Sequence, residues 1–220
     1  MNDGLKKKNE RTYQAILLGM SGLPATEHPI IWEVTDDERA FAKDFAKRSC
    51  IDPEHQLIIG LNTGAGGRWR WKKWTEQGYI ELVRAILEDY PDSRILLYGG
   101  PEERERNAKL ANLAPNRLID TGTGNTLRQF GALVSICDVM VTGDTMALHL
   151  ASALGKRVIA LFGPTSAAEI ELYGRGSKVA PWDMSCLGCY LSDCEIRPAC
   201  MERISAPQVM TSLRNEINAL

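Results

Sequence analysis

The sequence predicts an α/β fold, a parallel sheet with helices on both faces, preceded by linker helices. Three observations carry this expectation. From Gln56 onward, short apolar runs alternate with segments of helical periodicity. The runs are apolar without alternation, as expected when both faces of the sheet are covered. Glycine stands at or just beyond the end of most runs, at Gly64, Gly99, Gly122, Gly143 and Gly163.

Taken in order, Leu57 to Leu61 reads as the first buried strand, closed by Asn62-Thr63-Gly64. Ile80, Val83, Leu87 and Tyr90 then share one face of a helix from about Glu76 to Tyr90. Arg94 to Tyr98 is the next strand, stopped by Gly99-Gly100-Pro101. Proline suits the first position of the helix expected from Glu102 to Leu113. Arg117 to Asp120, a helix from Thr126 to Ile136, and Asp138 to Thr142 follow. A helix from Thr145 to Leu154, stopped by Gly155, and a strand from Arg157 to Phe162 complete the alternation. In parallel sheets, ligands sit beyond the carboxyl ends of the strands, which singles out the glycine-bearing loops.

The first fifty residues differ. Leu5 to Met20 can form a helix ended by Gly22 and Pro24. Thr35 with Glu38 reads as a capping box opening a second helix to about Arg48, with Phe41, Ala42 and Phe45 on one side. The chain therefore divides into linker helices over 1–54, a ligand-binding α/β domain over 55–205 and a C-terminal helix over 206–220. All three helices outside the alternating region are expected to offer apolar faces to another domain or to a second copy.

Composition narrows the class. The 220 residues are 44% hydrophobic and 25% charged, ordinary for a protein with a full core. A formal net charge of -2 supplies no field for nucleic acid or an anionic membrane. Met1 to Glu10 lacks the apolar stretch of a secretory signal, and the run Val158 to Phe162 is far short of a membrane span. A cytoplasmic location is expected.

Gly143-Asp144-Thr145 ends a strand and opens a helix whose free N–H groups and positive dipole end can hold a phosphate. Asp144 or Thr145 can equally serve as a plain helix cap. This segment, with His149, Ala153-Leu154-Gly155-Lys156 and Leu161-Phe162-Gly163-Pro164-Thr165, resembles the signature of the lipopolysaccharide heptosyltransferases of glycosyltransferase family 9. Gly60 to Ala65 continuing to Lys72-Lys73-Trp74, and Pro164-Thr165-Ser166 followed by Tyr173-Gly174, agree with it. The match runs over roughly residues 55 to 210.

The resemblance implies the C-terminal, donor-binding half of a GT-B fold, itself Rossmann-like, and transfer of a heptose-like sugar from an ADP-sugar to a lipopolysaccharide core. It implies a nucleotide-sugar donor as substrate, no cofactor, and a lipid-linked saccharide acceptor bound by an N-terminal domain of which 1–54 would be the tail. Work at the inner face of the inner membrane goes with such an acceptor. Asp144, Thr145 and His149 would face the donor's pyrophosphate and sugar. Lys72 or Lys73 would neutralise charge on the departing diphosphate. Glu102 or Glu103 would bind a ribose hydroxyl, although an acidic first turn also suits the helix dipole. Thr63 would lie near the phosphates. Met146 departs from the pattern, because the family usually has glycine there, and its side chain would crowd the diphosphate. The alternative function is a nucleotide or nucleotide-sugar binding module without transfer activity.

Two features stand apart. The run Arg68 to Trp74 interleaves basic and aromatic residues, as in sites where single-stranded bases stack. A loop flanking a nucleotide-sugar site explains it better, with Trp74 as core. Cys186, Cys189, Cys194 and Cys200 are four thiols in a spacing that lacks the close second pair of a zinc site, so free thiols or opportunistic disulfides, and no metal, are expected. Cys50 and Cys137 read as small apolar residues.

Overall fold

The computed structural model describes residues 13–22 and 29–220. Six strands among them form one parallel sheet: β1 Ile58–Asn62, β2 Arg94–Tyr98, β3 Leu118–Asp120, β4 Val139–Gly143, β5 Arg157–Leu161 and β6 Gly176–Val179. Their order across the sheet is β3-β2-β1-β4-β5-β6. Register runs straight across the centre, with Ile59 beside Ile95 on one side and Val139 on the other. Five strands match the alternation of the sequence within one or two residues. β6 was not expected, because Gly-Ser-Lys-Val carries no apolar run. It is an edge strand with one neighbour, β5, and its polar middle residues suit that position.

Alternating strand residues separate two cores. Ile59, Leu61, Ile95, Leu97, Val139, Val141 and Ile159 face α3 Glu76–Asp89, α4 Arg104–Ala111 and α7 Ala206–Ile217. Ile58, Leu96, Tyr98, Met140, Val158 and Ala160 face α2 Asp36–Arg48, α5 Leu127–Val134 and α6 Met146–Ala153. The Thr35–Glu38 capping box opens α2 as expected, with Glu38 N–H donating to Thr35 Oγ1 at 3.3 Å and Thr35 N–H to Glu38 Oε2 at 2.8 Å. Of the helix expected over 5–20, Tyr13–Met20 is observed as α1 and the rest lies outside the described residues.

The apolar faces of the second and last helices do not await another domain. Ala42, Phe45 and Ala46 of α2 are buried, and the helix packs on α5. Val209, Met210 and Leu213 of α7 are buried against α3, β5 and β6, with Arg157–Glu216 at 2.8 Å fastening the end of the helix. The segment before α2 is also attached. Trp32 N–H donates to Ala153 O at 3.1 Å, and its indole lies against Gly131 under the Arg128 guanidinium. A one-sided stripe tells that a face is buried but not by what, so the sequence left the partner open. On α1, Leu17 and Met20 remain exposed.

Cys137 is buried as expected, but Cys50 is exposed. It follows α2 with φ 52°, in a turn and not in the core.

Candidate functional site

Beyond β1 the chain crosses to β2, and beyond β4 it crosses to β5, on opposite sides of the sheet. A crevice must open where those connections diverge, above Asn62 and Gly143. A cleft of about 630 Å³ lies there, lined among others by Asn62, Lys72, Glu102, Asn125, Asp144 and Met146.

Its floor is a buried hydrogen-bond network. Asn62 Nδ2 lies 3.0 Å from Thr142 Oγ1, 3.1 Å from Thr145 Oγ1 and 3.1 Å from Gly64 O, tying the ends of β1 and β4 together. Thr145 is the N-cap of α6, its Oγ1 accepting from Ala147 N–H at 3.2 Å. Capping and ligand binding are therefore not exclusive: the cap sets α6 so that its first turn, with its positive dipole end, opens in the cleft.

Asp144 Oδ2 meets Lys72 Nζ at 3.0 Å, with 16% of each side chain exposed. His149 Nε2 is 4.0 Å from the other Asp144 oxygen, its ring half exposed. Lys72 ends a 3-10 turn, Gly67–Lys72, that the sequence shows only as a loop. Gly143 lets this turn approach, since a Cβ there would lie 3.1 Å from Lys72 O.

The two lysines separate. Lys73 Nζ pairs with Glu103 Oε1 at 2.6 Å and Glu102 Oε2 at 2.9 Å. Burial alone would lower the Lys73 pKa, but the two carboxylates outweigh it and hold the ammonium above its usual value. Only Lys72 of the pair lines the cleft. Glu103, with 3% of its side chain exposed, accepts from Gly100 N–H at 2.9 Å and fills the space left by Gly64 and Gly99. Glu102 is half exposed on the cleft wall. Thr63 is buried behind the cleft, where its Oγ1 donates to Asn107 Oδ1 at 2.6 Å.

The structure adds lining residues that had not been singled out. Pro101, Asn125 and Leu127 stand on the β2 and β3 side, and Leu127 and Met146 are each about half exposed. Two half-exposed apolar side chains opening helices at the cleft can hold a flat ring or a sugar face. The signal available was Thr121-Gly122-Thr123-Gly124-Asn125-Thr126, a turn-rich stretch before a helix cap. Asn125 Nδ2 donates within it to Thr121 O and Gly122 O, both at 3.0 Å.

The model of "Glycosyltransferase family 9 (heptosyltransferase)" matches residues 10–199. The chain belongs to glycosyltransferase family 9. Among curated relatives, a lipooligosaccharide heptosyltransferase 2 of Campylobacter jejuni is 25% identical over 172 residues, 72% of this chain and 50% of its own length. The lipopolysaccharide heptosyltransferase 1 of Pseudomonas aeruginosa is 29% identical over 179 residues, 79% of this chain and 46% of its own. The chain thus spans about half the length of the curated relatives it matches. Among solved structures, the family 9 glycosyltransferase of Veillonella parvula superposes with a TM-score of 0.76 at 17% identity, over 96% of this chain and 61% of that one. The Escherichia coli heptosyltransferase WaaC with ADP gives 0.60 at 18% identity, over 90% and 53%. These likenesses bear out the Rossmann-like α/β architecture expected of a family 9 domain.

The six cysteines of the chain are free thiols. Cys200 is buried, with Gly163 leaving room for its Sγ, and its thiol is pushed up to about 11, chiefly by burial. Among the described residues no group of three or more His, Cys, Asp or Glu side chains is arranged to hold a metal ion. Nor is any described helix long and apolar enough to cross a membrane.

Proposed function

We propose that this chain is the donor-binding part of a heptosyltransferase, holding an ADP-sugar for transfer of a heptose-like sugar to a lipopolysaccharide core acceptor. The observation that carries the reading is the cleft at the strand switch, where the opening turn of α6 and the Lys72 ammonium converge on one space. A diphosphate is the ligand chemistry that uses both: the dipole end and free amides take phosphate oxygens, and the ammonium stabilises charge as the diphosphate departs. Asp144, Thr145 and His149 surround the diphosphate and sugar. Glu102 accepts from a ribose hydroxyl. Glu103 forms part of the cleft wall, and Lys73 and Thr63 act behind it. The chemistry so described needs no resident cofactor.

The names of the curated relatives support the sugar and the acceptor class. The acceptor is held by a partner domain, and the assembled enzyme works on the cytoplasmic side of the inner membrane, where a lipid-linked acceptor is presented. Calorimetric titration of the chain with ADP, GDP and UDP tests the donor reading. ADP is expected to bind more tightly than the other two, and no heat with any of them at millimolar ligand overturns it.

A second reading, nucleotide-sugar binding without transfer by these residues, has one observation in its favour. Every carboxylate lining the cleft among the described residues, Glu102, Glu103 and Asp144, is already paired with a lysine. A carboxylate so engaged is a poor general base for an acceptor hydroxyl.

A further inference from the structure

The 3-10 turn that delivers Lys72 has little to hold it in place locally. It starts after Gly66 at φ +69° and is broken inside by Trp69 at φ -125°, ψ 61°. What it does have is a long-range attachment at Trp71. Trp71 Nε1–H donates to Asp193 Oδ1 at 3.1 Å, across 122 positions of sequence. The Arg197 guanidinium lies 4.4 Å from the same ring centroid, and that of Arg70 4.9 Å. The indole is thus occupied by two cations and an acceptor, and does not offer the free stacking surface that a nucleic-acid platform requires.

The receiving loop is built for this contact. Asp193 Oδ1 also accepts from Cys194 N–H at 2.9 Å, and Arg197 Nη1 donates to Cys194 O at 2.7 Å and Ile196 O at 2.8 Å. Both partners are also held by hydrogen bonds within their own loop. On the far side of Lys72, Lys73 is anchored by Glu102 and Glu103. Lys72 therefore sits between two anchors, with its carbonyl over Gly143 and its ammonium on Asp144.

We propose that Trp71, Asp193 and Arg197 form a clasp between the Gly67–Lys72 turn and the cysteine-bearing loop, and that they are positioning residues setting Lys72 for the donor's diphosphate. The inference rests on the donor-site reading above. A long flexible ammonium side chain loses rotamer freedom when it engages a ligand. Fixing its backbone beforehand removes part of that loss from binding, so the clasp acts on affinity. It is solvent-exposed and small, so it contributes little to global stability.

The test is calorimetric titration of the full chain with ADP, with melting temperature measured in parallel, for wild type, Trp71→Ala, Trp71→Phe, Lys72→Ala and the Trp71→Ala/Lys72→Ala double variant. Trp71→Ala is expected to weaken ADP binding by about fivefold to tenfold, the scale of one hydrogen bond plus an exposed cation–π contact, with the melting temperature unchanged. Trp71→Phe keeps a ring for the guanidinium groups but has no N–H, and should fall between. In the Lys72→Ala background, Trp71→Ala should add nothing, because its effect runs through Lys72. Equal affinity of wild type and Trp71→Ala overturns the clasp, as does an undiminished effect in the Lys72→Ala background. Failure of wild type to bind ADP is a separate result, which removes the donor reading and the clasp's purpose together.

Discussion

Lys72 and Lys73 are neighbours of one type, yet their surroundings give them different tasks. Lys72 pairs with Asp144 on the cleft wall, whereas Lys73 compensates Glu103, which has 3% of its side chain exposed. Removing the partner of a buried charge strands that charge in a medium that solvates it poorly. Lys73→Ala is therefore expected to lower unfolding free energy by about 3 kcal/mol. Lys72→Ala should instead leave stability nearly unchanged and weaken ADP binding by about 1.5–3 kcal/mol, the range for a hydrogen bond to a charged group. Urea unfolding together with calorimetry separates the two. Equal effects of both substitutions on affinity would show that Lys73 also reaches the ligand. The choice between these lysines was not legible in the sequence, because adjacent positions differ only in which way a turn points them. Thr63 illustrates the same limit: placed at a strand end by pattern, it turns inward to Asn107 and not toward the cleft.

At the scale of elements, helical periodicity located α2 and α7 and identified their buried sides, but not what buries them. Leu213 is fully buried in the layer that α7 forms with α3, β5 and β6. Leu213→Ala should therefore destabilise the chain by about 2–5 kcal/mol, as truncation of a packed core leucine does. If α7 instead served mainly to dock on another domain, the loss would be near zero in this chain alone, and urea midpoints decide between the two. The strands tell a parallel story. β1, β2, β4 and β5 announce themselves because both faces of each must be apolar, whereas β3 lies at an edge like β6 and shows itself through Leu118 and Ile119. β6 needs only a backbone partner at the edge, and hydrogen bonds along a backbone leave no mark on side-chain pattern.

For the molecule as a whole, the groups that would bind a donor are together, while the cleft carboxylates among the described residues are all engaged by lysine. Residues 1–220 by themselves are thus expected to bind ADP-heptose without transferring heptose to a lipopolysaccharide-core acceptor. Supplying an acceptor-binding domain should restore turnover. The assay is product formation with the chain alone and with the added domain, and robust turnover by the chain alone would place a base within these residues.

The sequence by itself determined the parallel α/β architecture, the loops beyond the carboxyl ends of its strands and the family, because these follow from hydrophobic period, glycine placement and short ordered motifs. It also placed Trp74 in the core, where the indole N–H reaches Ile204 O at 2.9 Å. Only the tertiary structure decided which lysine faces the cleft, that Glu103 is a wall and not an open ligand, and that Trp71 reaches Asp193. Each of those depends on distances between segments far apart in the chain. Such distances are set by how the strands order themselves in the sheet, and local pattern carries no record of that order.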